Sequence, residues 1–236
     1  MVGKTVTFEA TRPLVVDATH TLASPIVLSS LRQDLASLNP EDIAELVIRN
    51  NKGLFRDVCI WCERTGNDMI ASEHANDNLD VHCLIQKGEG MSLSGRRKMV
   101  VVVGTAELEK AVGVLEKALG GAVMGMEVLI WFEGSGVRIV REGYRPLVGG
   151  VFGRLWTRAV EGCLRKMGRP LPREAINILE ELGASFFVCG PSLERFGVRE
   201  EELSVKNFEL GSIVMLVDML DKADVALFSS SKFERP

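Results

Sequence analysis

The stretch whose reading decides the fold is MVVVV, Met99–Val103. Four consecutive valines after a methionine match a strand buried on both faces, and strands of that kind belong to parallel sheets covered by helices on each side. Downstream, Leu108, Ala111, Val112, Leu115 and Leu119 recur at helical spacing over Ala106–Leu119, and Gly120-Gly121 mark the expected end. Met126–Phe132 reads as the next strand and runs into Glu133-Gly134-Ser135-Gly136. Glycines and prolines crowd residues 143 to 172, which predicts an irregular excursion with a short helix over Leu155–Lys166. Arg173–Leu182 is a predicted helix ended by Gly183, and Ala184–Val188 a buried strand ending at Cys189-Gly190-Pro191-Ser192. Leu193–Phe196 and Gly211–Asp221 read as helices and Ala223–Phe228 as the closing strand. Strands alternating with helices predict an α/β unit with a doubly wound, mostly parallel sheet over residues 99–236, whose chemistry belongs at the C-terminal strand ends.

Upstream the pattern changes. Thr5–Phe8 and Leu14–Val16 read as extended chain. Ser24 is the expected N-cap of a helix with Pro25 in its first turn, carrying Val27, Leu28, Leu31, Leu35 and Leu38 on one face until Asn39-Pro40. Ala44–Arg49 reads as a strand, and Leu54–Thr65 as a helix stopped by Gly66. Asp68–His74 and Leu79–Lys87 flank the turn at 75–78 and form a hairpin. The βαβαββ order predicts a two-layer sandwich over residues 1–88. Residues 89–98, rich in glycine and serine and ending in Arg96-Arg97-Lys98, read as the linker.

Composition narrows the function. With 46% hydrophobic and 25% charged residues among 236, the chain is an ordinary globular protein. Its 28 basic against 32 acidic residues and pI near 5.6 argue against nucleic acid or a broad anionic membrane surface as partner. Mean hydropathy is +0.13, yet no run approaches a membrane span, and Lys4, Glu9 and Arg12 interrupt any signal-peptide core. A cytoplasmic location and reduced thiols follow as expectations.

The five cysteines then differ by position. Cys189 stands where a buried strand stops, beside Gly190-Pro191-Ser192 and ahead of a short helix, so backbone N–H groups there are expected to steady a thiolate. A small buried residue at a sheet edge fits the same position. Gly134, Ser135 and Gly136 at the preceding strand end, with Gly190 and Ser192, are expected to line its pocket. Cys59 and Cys62 form a CxxC, but inside a helix rather than at its first turn, which favours packing over redox chemistry. A zinc site would need further ligands from His74, His82 or Cys83, and adjacent His82 and Cys83 face opposite sides of a strand. No metal and no cofactor are expected. All three histidines precede Cys83, which disfavours a Cys-His protease.

Two resemblances sharpen this. Val16-Asp17-Ala18, the Pro25 helix, Trp61-Cys62-Glu63-Arg64-Thr65-Gly66-Asn67 and Cys83-Leu84-Ile85-Gln86-Lys87 resemble the TusA (SirA-like) sulfur-carrier family over residues 13–88. That family carries sulfur on a cysteine in a Cys-Pro-x-Pro motif opening its first helix. Here the matching residues are Ala23-Ser24-Pro25-Ile26, so the resemblance implies a domain without its carrier thiol. Residues 99 to about 230 are similar to the DsrE/DsrF-like family, in particular its peroxiredoxin-like subgroup with a long insertion after the second strand. The matching features are MEVLIWFEGSGV (126–137), the helix ending at Gly183, Phe186-Phe187-Val188-Cys189, Gly197-Val198 and Ala223-Asp224-Val225. The resemblance implies that Cys189 accepts and passes on sulfane sulfur, with possible sulfurtransferase activity, and that the chain forms trimers or hexamers. Implied partners are sulfur donor and acceptor proteins, low-molecular-weight persulfides, or a membrane protein met without a membrane segment of its own. The alternative is a non-catalytic scaffold of sulfur metabolism. A true peroxiredoxin is a poor reading, since Gly183–Val188 offers neither the Thr nor the Pro that binds peroxide.

Overall fold

In a computed structural model, residues 13–75, 79–89, 97–148 and 153–229 are described, apart from the side chains at 154 and 155. The expected strand at Thr5–Phe8, the tip of the hairpin turn and most of the linker lie outside them. Alternation of apolar residues gives the first sheet one buried face. β1 (Leu14–Asp17), β2 (Ile43–Arg49), β3 (Asp68–His74) and β4 (Asp80–Gln86) are ordered β1-β2-β4-β3. The β1–β2 pairing is parallel, and β4 is antiparallel to β2 and β3. Ala44, Leu46, Ile48, Val81, Cys83 and Ile85 meet α1 (Ser24–Ala36) and α2 (Lys52–Thr65) in one core with Leu31, Leu35, Val58 and Trp61. This is the expected two-layer βαβαββ arrangement.

Helix ends differ by a residue or two, for identifiable reasons. The N-cap of α1 is Ala23; Ser24 is already helical, and its hydroxyl donates to Asp57 Oδ2 at 2.5 Å, tying α1 to α2. α2 starts at Lys52 because the Asn51 side chain accepts from the N–H groups of Gly53 and Leu54. Gly66, at φ 73°, ends it as expected.

The second half forms one sheet, ordered β8-β7-β6-β5-β9 and parallel throughout. Its strands are β5 (Lys98–Val103), β6 (Glu127–Phe132), β7 (Ser185–Cys189), β8 (Phe208–Gly211) and β9 (Val225–Ser229). α3 (Leu108–Val123) and α5 (Pro172–Glu181) cover one face, over Val101, Val103, Ile130, Phe132, Phe186 and Val188. α7 (Ile213–Asp221) covers the other, over Val100, Val102 and Trp131. α4 (Gly153–Lys166) lies within the irregular excursion and packs Leu164 on Leu108 and Val112 of α3 rather than on the sheet. α6 (Gly190–Phe196) follows β7 without a break.

Two expectations fail here. Gly120-Gly121 do not end α3, which runs on to Val123. At Gly121 a Cβ would sit 2.6 Å from Met99 Sδ, so this glycine is a packing contact with β5 rather than a stop. Gly211 does not begin the helix predicted over Gly211–Asp221 but ends a strand, β8, and α7 starts at Ile213. The two halves meet through the end of α3. Trp61 Nε1 donates to the Val123 carbonyl at 2.9 Å, Arg32 Nη1 donates to the Ala122 carbonyl at 2.9 Å, and Val123 itself packs in the N-terminal core.

Candidate functional site

Cys189 ends β7, the strand between β6 and β8. Period-two alternation sends Phe186 and Val188 into the α3–α5 core, and sends Phe187 and Cys189 to the face covered by α7. There Cys189 packs against the cluster of Val100, Val102, Trp131, Leu216 and Met219, with its side chain half-buried. The expected backbone support differs from what is found. Cys189 is itself the N-cap residue of α6, but its side chain makes no capping hydrogen bond, and Pro191 removes one N–H from the first turn.

The surroundings come from residues far apart in the chain. Trp131 is fully buried, and its ring reaches from β6 across β7: a Cβ on Gly211 of β8 would lie 2.5 Å from Trp131 Cη2. Gly211 is the register partner of Cys189, so the indole ends beside the thiol's neighbour because no side chain stands there. Phe187 stacks on Trp131 with centroids 6.4 Å apart, and Met215 Sδ would lie 2.9 Å from the same Cβ. Trp131 Nε1 donates to Glu133 Oε2 at 3.2 Å. Phe132 pairs with Val188 as the last register pair of β6 and β7, and Glu133 and Cys189 are the next residues of the two chain segments. A Cβ built on Gly190 meets nothing within 4 Å, so the chain next to the thiol borders open space.

The glycine-rich turn after β6 is a 3-10 turn, Gly134–Arg138. Gly134 has φ 53°, and its N–H donates to Ser192 Oγ at 3.0 Å, fastening the turn to α6. Ser135 is buried, and its hydroxyl accepts from Ala106 N–H at 3.1 Å. A Cβ on Gly136 would fall 1.9 Å from the Val103 carbonyl oxygen, so the turn presses against the end of β5. The structure thus brings Gly134, Gly190 and Ser192 around the end of β7, while Ser135 and Gly136 pack toward β5. Trp131, Glu133, Gly211 and Met215 were not singled out from the sequence. Their signal is only tertiary.

The other thiols are placed differently. Cys62 and Cys83 are buried, Cys59 half-buried, and all three lie where α2 meets β4. Burial, with help from the neighbouring Cys59 and Cys83, pushes the Cys62 thiol up to about 12; burial pushes Cys83 up to about 11. Among the described residues no group of three or more His, Cys, Asp or Glu side chains is placed to hold a metal. Cys163 is exposed on α4. No helix among the described residues is long and apolar enough to cross a membrane.

A parallel α/β domain with a thiol at the C-terminal end of an inner strand is the class that this geometry defines. The sequence profile of the DsrE/DsrF-like family matches residues 97–228, more than half of the 236-residue chain, and the chain belongs to that family. A search of curated proteins found no match. Among solved structures the domain is similar to the ychN protein from E. coli, at 15% identity and a TM-score of 0.41, over 57% of this chain and 98% of that one.

Proposed function

We propose that the protein is a cytoplasmic sulfur-relay protein that carries sulfane sulfur as a persulfide on Cys189. The observation that carries this is the half-buried thiol at the C-terminal end of β7, bordered by open space at Gly190, within a DsrE/DsrF-like domain. In loading, the Cys189 thiolate attacks the outer sulfur of a donor persulfide, RS–SH. The new bond joins Cys189 Sγ to that sulfur, the RS–S bond breaks, and RS⁻ leaves with the electron pair. In unloading, an acceptor thiolate attacks the same outer sulfur and Cys189 departs as the thiolate, so neither step needs an external oxidant or reductant. Gly134, Gly190 and Ser192 border the persulfide; Ser135 and Gly136 act behind them by holding the turn. Trp131 and Met215 supply an apolar wall that keeps water from the bound sulfur.

In this proposal the N-terminal sandwich is a TusA-like module, in keeping with its βαβαββ order. With Ala23 at the N-cap of α1 it has no thiol at the carrier position, and so serves to dock partners rather than to carry sulfur. A second reading, a sulfur-metabolism scaffold without transfer, draws on that same missing thiol. Incubation with a sulfane-sulfur donor followed by mass analysis of the Cys189 peptide separates the two. The relay requires a gain of one sulfur atom that a reductant removes and that Cys189→Ser abolishes. A Cys189 peptide that stays unmodified while a known carrier loads beside it leaves the scaffold reading.

A further inference from the structure

Two cations stand along the chain segments that lead away from Cys189. The turn Gly134–Arg138 and α6 lie side by side. Near Cys189 they are joined by the Gly134 N–H donated to Ser192 Oγ at 3.0 Å, and at their far end Arg138 Cζ lies 4.8 Å from the centre of the Phe196 ring. Arg195 brings a second guanidinium to the same ring, with Cζ at 5.6 Å. Arg138 and Phe196 are half-buried, and Arg195 is exposed. Other arginines of this region are neutralised: Arg141 and Arg199 pair with Glu202, and Arg145 with Glu161. Among the described residues, neither Arg138 nor Arg195 has such a carboxylate within 4 Å, and neither guanidinium donates a hydrogen bond.

An aromatic ring steadies a guanidinium through its face and leaves the N–H edge to meet a carboxylate as a fork. Two like charges gathered on one ring also repel each other, and an anion bound there relieves that repulsion. Arg195 stands six residues beyond Cys189, ~9 Å along α6 at the helical rise, and one turn beyond Ser192 on the same side of the helix. We propose, building on the relay reading, that Arg138 and Arg195 hold the anionic end of the sulfur donor, and that this donor is a low-molecular-weight persulfide bearing a carboxylate. Its size is that of a tripeptide, which extends about 10 Å and so reaches from the thiol to the arginines. The transfer keeps its balance: Cys189 Sγ bonds to the outer sulfur, the donor S–S bond breaks, and the carboxylated thiol leaves as its thiolate.

Loading of Cys189 in the full chain by glutathione persulfide, compared with the persulfide of glutathione diethyl ester, tests this, because the two donors share one sulfur and differ in their carboxylates. The expected result is half-maximal loading at a concentration at least about fivefold lower for the free acid, a preference that shrinks in high salt because these arginines face water. In the double variant Arg138→Gln with Arg195→Gln that preference should collapse toward parity, and Arg138→Lys with Arg195→Lys should keep part of it. Equal loading of the parent by the two donors overturns the proposal, and so does a preference that survives in the glutamine variant. If neither donor loads Cys189, the relay reading is what fails, and calorimetry of glutathione with Cys189→Ser, which needs no transfer, decides the anion site. Binding that the two glutamine substitutions remove upholds it, and absence of binding overturns it.

Discussion

At the scale of single residues, the Cys189 corner depends on an absence, the missing side chain of Gly211. A methyl group there would collide with Trp131 Cη2 at 2.5 Å and with Met215 Sδ at 2.9 Å, one a rigid ring and the other a movable tip. Gly211→Ala should therefore cost about 1–3 kcal/mol by overpacking, and should change the near-ultraviolet circular dichroism of Trp131 as the ring is pushed off β8. Gly190→Ala makes the matching control: a Cβ there meets nothing, so its thermal midpoint should stay close to that of the parent. Equal stability of the two variants would show that the indole does not lie where Gly211 admits it. The thiols supply a second prediction. Cys62 and Cys83 are buried and keep their protons to pH about 11 or above, so in the native protein they should resist iodoacetamide at neutral pH, while exposed Cys163 and half-buried Cys59 and Cys189 react. Peptide mapping after brief alkylation checks this; labelled Cys62 in folded protein would contradict the burial.

At the scale of elements, α4 shows how the irregular excursion is fastened. Glu161 of α4 is nearly buried and receives a bidentate pair from Arg145, with Arg145 Nε 2.8 Å from Glu161 Oε1 and a second bond from Nη2 to Oε2. Those hydrogen bonds hold the Glu161 carboxyl below the usual carboxylate range, against the opposing effect of burial. A carboxyl depressed in the folded state contributes stability that is complete above its unfolded value of about 4.3 and is lost as pH falls through the folded value. Glu161→Gln should thus lower stability by about 1 kcal/mol at neutral pH, a modest figure because Arg145 is largely exposed, and by less as the parent's carboxyl protonates. Denaturant midpoints of both proteins near neutral pH and near pH 3 test it; a gap that does not narrow on acidification would break the assignment. Most elements were legible from apolar spacing, because α1, α2, α3 and the inner strands each carry a full stripe of core residues. β8 was not, since FELG is a four-residue edge strand whose identity comes from pairing with β7 and not from its own pattern.

At the scale of the whole molecule, the two faces of the parallel sheet are covered unequally. α3 and α5 shield one face, but among the described residues the nine-residue α7 is the helix on the other and leaves Ile213, Val214 and Val217 exposed, Val214 at 73%. Leu210 and Phe228 are exposed on the flanking edge strands. A parallel sheet is stable when both faces are buried, so we propose that further copies of the chain cover this face, next to Cys189. Val214→Glu should convert an oligomer to a folded monomer in light scattering, with unchanged circular dichroism; a parent protein that is already monomeric at micromolar concentration would remove the proposal. The sequence by itself determined the two α/β units, their strand and helix types and the strand-end position of Cys189, because periodicity and chain punctuation are local properties. Only the tertiary structure decided that α3 runs through Gly120-Gly121, that Phe208–Gly211 joins the sheet, and that Trp131, Gly211 and Met215 gather beside the thiol. Those facts rest on side chains brought together across up to about eighty residues of chain, and no local pattern encodes which of them will touch.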